Sequence, residues 1–144
     1  MKQALLIGVL AFSLSGCAIV VSSAASGLTD SISDSVLNQD DPETAKAALP
    51  TFMVLIDGMI RDNPEDPALL ASGATLYASY GAIFAGEEER ASRLTRRARQ
   101  YAFDAMCESY EPACDWHGAT YDEFVATLDG LGPKHAEYLY TYGF

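Results

Sequence analysis

Three cysteines and two histidines are the residues of this chain best suited to covalent or metal chemistry. Cys17 stands directly after Leu14-Ser15-Gly16, behind an apolar run from Ala4 to Leu14 and the positive charge of Lys2. That run is shorter than the roughly 20 apolar residues a spanning helix needs, and it has the length of a signal-peptide core. Leu-Ser-Gly-Cys matches the bacterial lipobox, whose cysteine thiol is acylated before cleavage makes it the new N-terminus. Ala18 follows where an inner-membrane retention signal would place Asp, which favours the outer membrane. Acyl chains hold such an anchor firmly, because each buried methylene contributes about 0.8 kcal/mol.

With Cys17 consumed by lipid, Cys107 and Cys114 remain as an even pair on the oxidising side of the membrane. A disulfide between them closes the short loop from Glu108 to Ala113, and by chain entropy stabilises the fold by about 2–3 kcal/mol. Two other readings stand beside it. The pair could be free thiols, or Cys-x6-Cys-x2-His could add His117 as a metal ligand. The metal reading lacks a fourth ligand and the closely spaced cysteines of structural zinc. His117 follows Asp115-Trp116 and His135 follows Lys134, and neither falls in a His-Glu-x-x-His motif. Gly-x-Ser-x-Gly and glycine-rich phosphate loops are absent from the sequence. The chain is therefore expected to be non-catalytic and to carry no cofactor.

Charge narrows the partners. The chain holds 20 acidic and 9 basic residues, and loss of Lys2 with a cleaved leader takes the net charge from −11 to −12. Phosphate backbones need basic surface, so a nucleic-acid partner is excluded.

The elements that position these residues read as helices throughout. Residues 1–16 form the leader and residues 17–40 the lipidated cysteine and a Ser-rich tether, in which Leu28, Ile32, Val36 and Leu37 recur at helical spacing. The helical domain occupies residues 41–144. Asp41 can cap its first helix, with Pro42 at the first position and an apolar stripe through Phe52, Met53, Ile56, Met59 and Ile60. Pro50 is expected to kink or split that helix. Asp66 and Pro67 restart the chain into a second helix whose buried face includes Leu69, Leu70, Leu76, Tyr77, Tyr80, Ile83 and Phe84. Gly73 and Ala74 there suit the close approach of a neighbouring helix. Tyr77, Tyr80 and Phe84 project from one side, and are expected either to line a path for a small ligand or to pack the core supporting one.

A third helix runs from about Glu87 to Cys107, with Ala91, Leu94, Ala98, Tyr101, Ala102, Ala105 and Met106 facing inward. Arg90, Arg93, Arg96, Arg97 and Arg99 hold five of the nine basic residues. They constitute either an anion site or docking patch for an acidic partner, or a solvated face that balances nearby carboxylates. Thr120 and Glu123 form a capping box for another helix, with Tyr121, Phe124, Val125 and Leu128 inward. Lys134 to Tyr142 reads as a last helix. The fold class is all-α: antiparallel helix pairs in a tetratricopeptide-like helical repeat, without the strict period of about 34 residues.

Asp62-Asn63-Pro64-Glu65-Asp66-Pro67-Ala68-Leu69-Leu70, followed by Ala74-x-Leu76-Tyr77-Ala78-x-Tyr80, resembles the TRAP-transporter-associated T-component lipoproteins, the TatT type. The segment Arg90-Ala91-x-Arg93-Leu94-x-x-Arg97-Ala98-Arg99-x-Tyr101-Ala102, ending at Cys107, resembles them as well. The resemblance covers about residues 41 to 107, with the lipobox in front. It implies a lipid-anchored protein facing the periplasm with a tetratricopeptide-like fold and the capacity to form a homotrimer. It also implies association with the substrate-binding P component of a TRAP uptake system. The implied role is binding or relaying a small organic ligand. Against that family the chain is expected to be shortened, stopping at Tyr140-Thr141-Tyr142-Gly143-Phe144. The runner-up function is an outer-membrane lipoprotein adaptor that scaffolds an envelope protein assembly.

Overall fold

The computed structural model describes residues 38–143, so the lipobox at Cys17 and the spaced apolar residues Leu28, Ile32, Val36 and Leu37 lie outside the described residues. Two compact units divide between Ala45 and Lys46. In the first, Asp41 accepts hydrogen bonds from the backbone N–H groups of Glu43 and Thr44 at 3.2 and 3.3 Å and from the Thr44 hydroxyl at 2.6 Å. These bonds, the hydroxyl's first, hold its carboxyl below the ordinary carboxylate range. The helix they start, α1, runs Pro42–Asp62. Pro50 sits inside it without dividing it. The ring forfeits a single ladder bond, while Leu49, Met53, Ile56 and Ile60 form one buried stripe across the break.

In the second unit, every regular element among the described residues is helical. Asp66 caps α2 (Pro67–Phe84) by accepting from the N–H groups of Ala68 and Leu69 at 2.9 and 3.2 Å, with Pro67 in the first turn. Gly86, at φ 69°, supplies the left-handed turn into α3 (Glu88–Ser109). Gly73 faces Tyr101, Gly81 faces Leu94, and Tyr80 meets Arg90, so rising numbers on α2 meet falling numbers on α3 and the pair is antiparallel. The close approach expected at Gly73 is real. A Cβ there would lie 2.8 Å from Ile60 Cδ1 and 3.0 Å from Tyr101 Cδ2. Ile83, expected inward, is 69% exposed, because the three-way contact rolls α2 toward its Gly73, Tyr77 and Tyr80 edge.

Beyond α3, a disulfide joins Cys107 to Cys114 with Cα atoms 4.6 Å apart. It ties a 3-10 turn (Glu111–Asp115) onto the last turn of α3. The turn delivers Trp116 into a second core with Met106 and Ala113, against which Tyr110, Phe124, Leu128, Leu131, Tyr138 and Tyr142 pack. Helix α4 (Tyr121–Leu128) carries the expected capping box, and Glu123 is held below its ordinary range by the Thr120 N–H and then by its hydroxyl. Only part of its expected inward face is buried. Tyr121 is 79% and Val125 41% exposed. The Trp116 indole donates to Thr127 Oγ1 at 2.9 Å, and Tyr110 donates to the Thr127 carbonyl, which rolls α4 toward Phe124 and Thr127 and away from Val125. A second 3-10 turn (Pro133–His135) precedes α5 (Ala136–Gly143), which packs on α2 and α3.

Candidate functional site

Two features of the second unit have functional geometry, and they lie on different sides of the α2–α3 pair. The first is a groove of about 520 Å³ walled by α2, α3 and α5. Ala74, Ala78, Ala98 and Ala102 line its apolar part. Thr75, Ser79, Thr95 and Thr141 add hydroxyl groups, and Arg99 adds a cation. Alanine creates this space, since short side chains on two adjacent helices leave room that leucines would fill. A cavity of this size fits within the range of about 300–1,000 Å³ typical of small-molecule sites.

The second feature is a polar node where α1 meets the pair. Asp57 Oδ2 accepts the Tyr77 hydroxyl at 2.7 Å, and Oδ1 accepts the Tyr101 hydroxyl at 2.6 Å. Arg97 stands 3.7 Å from Oδ2 and lies 4.8 Å above the Tyr101 ring. The two rings meet edge to face at 5.8 Å. Burial first, then the hydrogen bond to Asp57 and its charge, push the Tyr77 phenol well above its ordinary value of 10.0. Burial and the same carboxylate raise Tyr101 as well. Both phenols therefore stay protonated and donate, and Asp57 fastens three helices with two oxygens.

Tyr77 and Tyr80 are buried and Phe84 is half-buried. Tyr77 belongs to the Asp57 node, while Tyr80 packs beside Phe84 at 5.7 Å under the Arg90 guanidinium. They sit behind the groove, whose α2 wall is the neighbouring edge formed by Ala74, Thr75, Ala78 and Ser79. Cys107 and Cys114 are bonded to each other, which removes both the thiol and the metal reading of that pair. His117 packs against the Phe103 ring at 3.9 Å. His135 is buried, with Nδ1 accepting the Gly132 N–H at 3.0 Å. Asp57 escaped sequence reading altogether. Its signal was its position: it falls four residues after Met53 and three before Ile60, on a buried stripe otherwise apolar.

The family model for the TRAP transporter T-component matches residues 38–144. This chain belongs to that family. The T-component assignment associates it with TRAP transport and places it among transporter components. No curated protein and no solved structure matches it. Among the described residues of this T-component, no helix is long and apolar enough to cross a membrane.

Proposed function

We propose that this T-component is a non-catalytic, lipid-anchored protein of the cell envelope that binds or relays a small organic ligand for a TRAP-type uptake system. The observation that carries the reading is the groove between α2, α3 and α5. Its alanine floor favours an apolar moiety of the ligand, and its hydroxyls and Arg99 supply a few orienting polar contacts. Tyr77, Tyr80 and Phe84 support it from behind by filling the core on which the groove wall rests. The ligand passes to or from the substrate-binding P component, and homotrimer formation follows from the family resemblance. Residues 1–16 act as the leader and 17–40 as the tether of the helical domain. Cys17 carries the lipid, the anchor lies in the outer membrane, and the domain faces the periplasm.

Two measurements test this. Native mass spectrometry of the full chain purified from envelopes should show a co-purified small molecule. Thr95→Trp, which places an indole over the groove from an exposed position, should lose that molecule while melting as the wild type does. Retention of the molecule by the tryptophan variant would place ligand binding elsewhere. Metabolic labelling with a fatty-acid analogue should mark the wild type and leave Cys17→Ala unmarked; equal labelling of both ends the anchor assignment.

A further inference from the structure

Five of the chain's nine basic residues fall between Arg90 and Arg99, in a protein whose net charge is −11. At about 100° per residue, Arg90, Arg93, Arg96 and Arg97 share one third of the circumference of α3 and span about 10 Å along it. Arg90 lies 5.2 Å above the ring of Tyr80, which is 3% exposed, and Arg97 lies 4.8 Å above that of Tyr101, which is 6% exposed. Arg96 donates to Ser92 Oγ at 2.7 Å. Arg93 pairs with Glu89 at 2.6 Å, but Glu89 is 87% exposed and that contact is readily exchanged.

Among the described residues, neither Arg90 nor Arg96 pairs with a carboxylate. Arg97 approaches Asp57 only to 3.7 Å, and that carboxylate already accepts two phenols. Four guanidinium groups on this face meet two carboxylates, Glu89 and Asp57, among the described residues, so positive charge is in excess there. A guanidinium held over a buried ring has also lost rotamer freedom before any partner arrives. Arg90 gives one N–H to the Tyr80 hydroxyl at 3.4 Å, and a guanidinium carries five, so donors remain for a two-point bond to a carboxylate.

We propose that Arg90, Arg93, Arg96 and Arg97 form a docking surface for a protein partner that presents a cluster of carboxylates. Complementary charge identifies the occupant. An acidic partner is repelled by the rest of this acidic chain and attracted here, so the same field that weakens other encounters orients the productive one. An anionic membrane is an extended plane and would press the acidic remainder against like charge. A compact protein surface need cover only this face. The proposal rests on the transporter-association reading and adds to it the face used and the chemistry of the partner.

The test uses the full chain in detergent, a fluorescein-labelled oligoglutamate peptide and phosphatidylglycerol vesicles. Fluorescence anisotropy at low salt should show saturable peptide binding. The double variant Arg93→Glu, Arg96→Glu should weaken it by about ten-fold or more while remaining helical at the temperature of the titration, because both side chains are exposed. Arg90→Lys with Arg97→Lys, which keeps the charge and loses the planar fork, should weaken it by roughly three-fold. Equal peptide binding by wild type and the glutamate variant overturns the proposal. So does tighter, equally arginine-dependent binding to the vesicles. In parallel, the TRAP substrate-binding component should co-purify with wild type and be lost from the glutamate variant. Retention by both overturns this surface but leaves the association standing. Its absence even from wild type overturns the association, and the peptide titration still decides the surface.

Discussion

Asp57 shows how much of this molecule hangs on a single side chain. Replacement by Ala leaves the Tyr77 and Tyr101 hydroxyls without their acceptor in a partly buried site, and should cost about 2–4 kcal/mol in urea unfolding. Asp57→Asn keeps one carbonyl acceptor and should cost about half as much. A loss below about 1 kcal/mol in the alanine variant would mean that water replaces the carboxylate without penalty. The phenols give a second readout. Their folded values are raised, so the protons are held more tightly by the folded state than by the unfolded one. The stability they contribute is fully present below about pH 10 and declines as pH rises through the folded values. Tyrosinate absorbance should therefore lag in the native protein and rise together with the loss of helical signal. In Tyr77→Phe with Tyr101→Phe, much of that lag should vanish; an unchanged lag would assign it to other tyrosines. The cysteine pair was legible from its even number and from the oxidising compartment that the leader sequence implies. Asp57 was not, because one carboxylate on an apolar stripe reads as a tolerated surface charge until the partners from two other helices are in place.

At the scale of elements, caps and turns were the most legible features. Asp66 with Pro67, Thr120 with Glu123, and Gly86 act through bonds within a few residues, which sequence spacing captures. The roll of α4 was not legible, since it is set by Trp116, whose place depends on the disulfide and on Tyr110. Cys107→Ser with Cys114→Ser should lower stability by about 2–3 kcal/mol. It should also loosen Trp116, which is 7% exposed, so its fluorescence should shift to the red before α2 and α3 melt. An unshifted emission maximum would show that packing by Met106, Ala113 and Phe124 holds the indole without the covalent tie.

For the whole molecule, the all-α class followed from local periodicity, which needs no knowledge of distant contacts. The groove needed such knowledge. Its alanines read equally well as close helix contacts, and only the position of α5 against α2 and α3 opens space between them. Charge makes a whole-molecule prediction of its own. At net −11 the compact state repels itself. Raising salt from about 0.01 to 0.15 M shortens the screening length from about 30 to 8 Å, and should raise the melting temperature. The same change should weaken oligoglutamate binding, so fold and docking should respond in opposite directions. A melting temperature that falls with salt would place the dominant electrostatic contribution in attractive pairs.

Short turns join α1 to α2 and α2 to α3 alike, but α2 and α3 pack along their length, whereas α1 is fastened to them mainly at the Asp57 node and by Ile60 seated at Gly73. Those two kinds of attachment set an order of opening. A hairpin packed along its length opens only as a unit, and a helix held by a few side-chain contacts is the first to lift. In hydrogen exchange, the amides of α1 should then lose protection ahead of those in the hairpin. The protein can thus breathe at one helix while the groove on the far side of the pair keeps its shape.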